Sequence, residues 1–381
     1  MTDDLLARTS FAADGPMHRL LRRLAERATA AVPLPAAPDP ADRPFLSVLT
    51  RTQGRRPETL RELLLCLAAQ TCDDFELLVL CHDVPADRAA ALDEVLAEVL
   101  AELDSPLRGK VRRVDVAGGG RSRPLNVGIE QARGRYLVAV DDDDLVLAHW
   151  AAEFRRLADE APGAVLRAVV AEQDVVETPD VAPGHTAASA IRTPYAERFD
   201  ILGHLVSNQT PNLGAAFPRE CFDLLGLRYD EMLPVFEDWD LLVEAALLCG
   251  VASTPEVTAV YRRWQHQGSS LLEAGEESWR ATERDLAARM DARELLLPPG
   301  TFSALRWYKA EQLEYAAEHE RMAGARDAAE AELSRVTDLL AQTQQQMADV
   351  IRSYEESTSW RLTAPVRRAT DTARRLRGGA S

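Results

Sequence analysis

A chain of 381 residues, 46% of them apolar, has enough material for one large α/β domain and an accessory segment. Its formal net charge of -17 excludes the basic footprint that a nucleic-acid binder needs. No run approaches the ~18 uninterrupted apolar residues of a membrane span, and the N-terminus lacks a signal-peptide apolar core. A soluble, cytoplasmic protein is therefore expected. Lys110 and Lys309 are its only lysines, so nearly all positive charge is arginine. Five cysteines, Cys66, Cys72, Cys81, Cys221 and Cys249, lack metal-ligand spacing and read as buried thiols.

In chain order, residues 1–44 begin with a helical pattern (Leu20, Leu21, Leu24) and pass into a linker with five prolines between Pro33 and Pro44. A first strand is predicted at Phe45–Thr50. A helix follows, with Pro57 near its start and Leu60, Leu63, Leu64 and Leu67 on one face. FELLVL, Phe75–Leu80, gives a second strand, a long Ala/Leu helix runs from about Ala86 to Leu103, and VRRVDV, Val111–Val116, gives a third strand. Strands alternating with helices predict a mostly parallel, doubly wound, Rossmann-like sheet.

AGGGRSRPLN follows the third strand. Its glycines would let backbone N–H groups approach an anion, and Arg121 or Arg123 could pair with phosphate or neutralise nearby carboxylates. The fourth strand, Tyr136–Val140, runs into four consecutive carboxylates, Asp141–Asp144, and a helix is predicted from near Leu145. Four adjacent like charges repel one another, and a helix dipole compensates only one or two of them. A hard divalent cation with oxygen ligands is the expected compensator, at a strand end where open α/β sheets collect ligands.

Further on, Ala164–Val176 reads as one or two strands and 177–193 as a loop over the sheet. A strand is predicted near Asn212–Phe217, with a helix from Pro218. Glu237, Asp238 and Asp240 open a helix whose apolar face holds Leu241, Leu242, Ala245 and Leu248. A strand from Glu256 then ends in a cluster of Trp264, arginines and His266.

Three blocks, FLSVLTRTQGRRPETLRELLLCLAAQTCDDFELLVL, RPLNVGIEQARGRYLVAVDDDD and FEDWDLLVEAALLCG followed by VYRRW, together resemble the inverting GT-A glycosyltransferases of family 2 over residues 45–270. The resemblance implies a GT-A fold and sugar transfer from a nucleotide-diphosphate sugar to a glycan or lipid-linked hydroxyl acceptor, in bacterial cell-surface polysaccharide or glycoconjugate synthesis. It implies that Asp141 and Asp143 hold Mn2+ or Mg2+, with His266 as a further ligand. It places Thr50, Arg51, Arg121, Arg123, Asn126 and Asp142 on the nucleotide sugar. Asp238 matches the catalytic base, beside Glu237. The second strand departs from the pattern, running Cys81, His82, Asp83 where the family has paired aspartates, so only Asp83 remains to read the base.

This gives a glycosyltransferase domain over 45–275 and a helical extension over 276–320. Ala329, Leu333, Val336, Leu340, Thr343, Met347, Val350 and Tyr354 then alternate spacings of four and three, a heptad seam that predicts a coiled coil over 321–356 and association of chains. The tail, 357–381, turns basic from Arg361 onward, with Trp360 and Leu362 beside the arginines, as expected of a segment resting on the inner face of the plasma membrane. Two other readings stay open: a sugar-phosphate nucleotidyltransferase, and a non-catalytic assembly protein organised by the coiled coil.

Overall fold

The computed structural model describes residues 43–102, 107–265, 275–292, 295, 297 and 300–378. The N-terminal helix, the proline-rich linker and His266 lie outside the described residues. The chain divides into two units, Met1–Thr301 and Phe302–Ser381.

The first unit is built on strands β1 (Leu46–Thr52), β2 (Phe75–His82), β3 (Val111–Val116) and β4 (Tyr136–Asp141), joined by helices α1 (Pro57–Ala68), α2 (Ala86–Glu102) and α3 (Arg123–Gln131). Sheet order in this half is β3-β2-β1-β4, all parallel. Alternation along the strands sorts side chains between two buried faces. Val48, Leu77, Val79 and Val138 pack with Leu60, Leu63 and Leu64 of α1 on one face. Leu49, Leu78, Leu80 and Ala139 pack with Leu125 and Ile129 of α3 on the other. Each such fully buried Leu or Val contributes about 1.5–3 kcal/mol, which is why these runs are almost continuously apolar.

The other half is mixed. Strands β5 (Leu145–Val146), β6 (Val165–Glu177), β7 (His185–Ala187), β8 (Ala215–Pro218) and β9 (Val251–Trp264) complete a sheet ordered β3-β2-β1-β4-β8-β6-β9-β5, with β7 beside β6. β8 runs antiparallel to both β4 and β6, while β6 and β9 are parallel. The predicted loop 177–193 folds back as β7 on β6, and Arg192 bridges Glu172.

The predicted helix start near Leu145 is corrected. Leu145 and Val146 pair with Val260 and Ala259 of β9, and helix α4 begins only at Trp150 and ends at Glu160. The reason is Asp144, whose buried carboxylate accepts the Arg262 backbone N–H at 2.8 Å and pins the segment to β9. Short helices α5 (Ile201–Val206) and α6 (Glu220–Asp223) precede α7 (Glu237–Cys249), whose Leu241, Leu242 and Ala245 join the core on the α3 side. Helix α8 (Glu276–Asp291) closes the unit.

The second unit contains α9 (Thr301–Glu356), α10 (Thr358–Leu362) and α11 (Ala364–Gly378). Among the described residues no helix is long and apolar enough to cross a membrane.

Candidate active site

The ends of β1, β2 and β4 and the glycine-rich turn before α3 open onto a cavity of about 630 Å³. Its walls carry Arg51, Thr52, Arg56, His82, Gly119, Gly120, Arg121 and Asp141 to Asp143, together with the segment Glu231 to Pro234. It sits at the carboxyl ends of parallel strands, where this class of sheet places ligands.

Arg51 organises the floor. Its Nε and Nη2 donate to the two carboxylate oxygens of Asp141 at 2.6 and 3.0 Å, and its Nη1 reaches Glu237 Oε1 at 3.0 Å and the Arg121 carbonyl at 3.0 Å. Arg121 adds an ion pair to the same Glu237 oxygen at 2.7 Å. A residue from β1, one from β4 and one from the first turn of α7 are thereby locked together across the sheet. The guanidinium fork suits this bidentate geometry, which an ammonium could not reproduce. Burial alone would raise the Asp141 carboxyl, yet Arg51 holds it below the usual range.

The next two aspartates are less well compensated. Asp142 is pushed up by burial and by Asp143, and it accepts a hydrogen bond from the Thr52 hydroxyl. Asp143 is pushed up by burial and by Asp141, and its ion pair to Arg56 is long, 3.5 Å. Arg56 is shared with Glu177 at 2.8 Å and stacks on Trp264 at 3.8 Å.

The donor set fits a divalent cation of limited reach. Among the described residues no cluster of three or more metal-type side chains is assembled, and both Asp141 oxygens are committed to Arg51. Asp142 and Asp143 offer hard oxygens whose mutual repulsion a cation would relieve. Two carboxylates with substrate phosphates completing the shell are the usual arrangement for Mg2+.

Asp238 stands apart. Its carboxylate accepts from Asn208 Nδ2 at 3.2 Å and from the Trp239 backbone N–H at 2.8 Å, and stays half-buried. Burial and the adjacent Glu237 raise it. Glu237, 2% exposed and bound by two arginines, has no such freedom. Phe236 just before it adopts a left-handed φ of 66°, held by Trp239 and Trp279 rings at 5.4 and 4.6 Å. Such strained backbone persists only where packing enforces it, here setting how α7 enters the site.

The remaining expected residues are placed as follows. Thr50 is fully buried in β1 and does not line the cavity. Asn126 is almost fully buried: its Nδ2 donates to the Tyr229 carbonyl and to Glu231 at 2.9 and 3.1 Å, and its Oδ1 accepts the Tyr229 N–H at 3.0 Å. Asn126 thus anchors the segment carrying Glu231 and Met232 over the cavity, as does Ser122, whose hydroxyl donates to the Asp230 carbonyl at 3.0 Å. Arg123 is half-exposed, 3.6 Å from Glu231. Asp83, in a left-handed conformation at the end of β2, caps the glycine-rich turn by accepting the Gly118 N–H at 2.9 Å. His82 beside it faces the cavity, with Nε2 donating to the Gly118 carbonyl at 3.0 Å. Sequence reasoning missed Thr52, Arg56, His82 and the Glu231–Pro234 wall. Only Thr52 had a usable signal, lying two residues after Thr50 and so on the same side of β1.

Residues 47–211 match the family described as Glycosyl transferase family 2. A 118-residue segment, 31% of this chain, is 34% identical to the "Uncharacterized glycosyltransferase EpsJ" of Bacillus subtilis (strain 168), and the match spans 30% of that relative's own length. Among solved structures, S. aureus TarS 1-349 in complex with UDP-GlcNAc superposes with a TM-score of 0.49 at 16% identity, covering 66% of this chain and 68% of that one. The mannosyltransferase PcManGT from Pyrobaculum calidifontis, in complex with GDP-Man and Mn2+, gives 0.46 at 19% identity over 74% and 73%. The segment that builds β1 to β4 and the carboxylate cluster is thus the part of the chain that matches glycosyl transferase family 2.

Proposed function

We propose that this chain transfers a sugar from a nucleoside-diphosphate donor to a hydroxyl acceptor, with inversion at the anomeric carbon and with Mn2+ or Mg2+ as cofactor. The observation that carries this reading is the division of labour among the carboxylates. Asp141 and Glu237 are neutralised by Arg51 and Arg121, Asp142 and Asp143 face the cavity raised and under-compensated, and Asp238, also raised and half-buried, stands at the start of α7 without an arginine ion pair of its own among those described.

The residues divide the reaction between them. Arg121 and the backbone of Gly119 and Gly120 line the wall available to a diphosphate. A divalent cation held by Asp142 and Asp143, and by Asp141 once released from Arg51, would supply the positive charge that a departing diphosphate requires. Asp238 accepts the proton of the acceptor hydroxyl as its oxygen bonds to the anomeric carbon and the bond to the donor phosphate breaks. A single in-line displacement needs no protein nucleophile, and Asp238's raised proton affinity suits a base for an alcohol. We further infer a glycan or lipid-linked acceptor in cell-surface polysaccharide synthesis, a reading supported by the basic tail.

Asp238→Asn tests the assignment. Transfer should fall by at least ~10²-fold, in line with loss of a general base, while nucleoside-diphosphate binding by calorimetry stays within a factor of two or three. Near-normal transfer by the variant would overturn the base assignment.

A further inference from the structure

We propose that α9 assembles this chain into a parallel four-stranded coiled coil, not the two-stranded zipper that a heptad seam first suggests. This goes beyond the transferase reading and does not depend on it.

The seam assigns Leu333, Leu340 and Met347 to one core position and Val336, Thr343 and Val350 to the other. Successive steps of three run from the first set to the second, so Leu, Leu and Met fall at a, and Val, Thr and Val at d. All six are solvent-exposed on the single helix. A parallel dimer prefers the reverse, β-branched side chains at a and Leu at d, whereas γ-branched a with β-branched d shifts preference to higher order, with Leu/Ile favouring tetramers. The flanks point the same way. Leu339 at g and Ile351 at e are exposed apolar residues, and other e and g positions through this stretch are Glu332, Thr337, Gln344 and Gln346, with Glu332 at g facing Thr337 at e of the next chain. A dimer would leave these flanks in water, whereas a four-stranded bundle covers them. No like charges face each other there when identical chains align, so a further copy of this chain is the fitting occupant. Separation of β-branched residues at d from residues unbranched at Cβ at a matters only when a meets a and d meets d, which is the parallel arrangement. Arg326, one heptad before Leu333, marks where the apolar a positions stop.

Sedimentation equilibrium of the full chain at micromolar concentration should give a particle of four 42.0 kDa chains. Exchanging the layers, with Leu333→Ile, Leu340→Ile and Met347→Ile combined with Val336→Leu, Thr343→Leu and Val350→Leu, should halve that mass while circular dichroism stays unchanged. Leu333→Cys under oxidation should form disulfide-linked pairs absent from the unsubstituted chain, because parallel chains bring these thiols together. A native mass of one, two or three chains overturns the proposal. A tetramer indifferent to the exchange also overturns it. A tetramer whose thiols do not couple overturns the parallel arrangement.

Discussion

Arg51 concentrates the electrostatics of the site in one side chain. Arg51→Met should strand Asp141 as a largely buried charge and leave Glu237 with Arg121 as its remaining cation, and breaking a buried pair costs about 3–5 kcal/mol. The expected outcome is a lowered thermal midpoint together with loss of transfer. Retained stability would mean that the two carboxylates find other partners. A second residue reports through pH. His204 is buried, its Nδ1–H donates to the Asp200 carbonyl at 2.9 Å, and its Nε2 accepts from the Thr210 hydroxyl at 2.8 Å. Burial lowers its pKa from 6.5 to about 4. The unfolded chain therefore takes up this proton at a higher pH than the folded one. Stability should fall as pH drops from about 6.5 to 4 and level off below that. His204→Gln should flatten this window in denaturant titrations, and an unaltered slope would assign it to other groups. At this scale Arg51, Asp141 and Asp143, set in contiguous patterns, were picked out from chemistry plus resemblance, and the structure brings these three to one cavity. Arg56, His82 and Met232 carry no local pattern and become neighbours only when separate strands and loops converge.

At the scale of elements, Gly134 shows how tightly the entry to β4 is fitted. A Cβ there would come within 2.5 Å of the Ser47 backbone nitrogen and 2.6 Å of its hydroxyl, the hydroxyl that accepts the Gly134 N–H and donates to buried Glu76. The obstacle is backbone, so Gly134→Ala should push β4 away from β1 and cost on the order of 1–3 kcal/mol, as overpacking does. A thermal midpoint within a degree of the parent would argue that β4 can shift freely. The parallel half was readable because each strand is a near-continuous apolar run separated by a helix with its own 3.6 period. β5 was not. Leu145–Val146 is too short for any periodicity, and what makes it a strand is Asp144 binding Arg262, far along the chain. The strand expected near Asn212–Phe217 and the helix expected from Pro218 are found as β8 and the one-turn α6, but the antiparallel direction of β8 was beyond reach, since pairing direction depends on partners that a local window does not contain.

At the scale of the whole molecule, sequence composition separated an acidic body from a basic end. From Arg361 onward, six arginines stand against Asp371, and Arg367 stacks on Trp360 at 3.6 Å in the described residues. A surface-bound basic residue contributes about 1 kcal/mol at an anionic leaflet. Removing 357–381 should therefore abolish co-sedimentation with phosphatidylserine vesicles while leaving transfer to a soluble acceptor intact, and unchanged co-sedimentation would dismiss the tail as a membrane contact. The arginine-rich helix α11 follows α9 closely, separated only by α10, and this adjacency has a cooperative consequence. Side-by-side alignment of four copies would gather their cationic ends, so that once one has landed the others meet lipid at high local concentration. Attachment would then be switch-like in protein abundance, and a drop in cellular level would detach the enzyme well before any individual lipid contact had weakened.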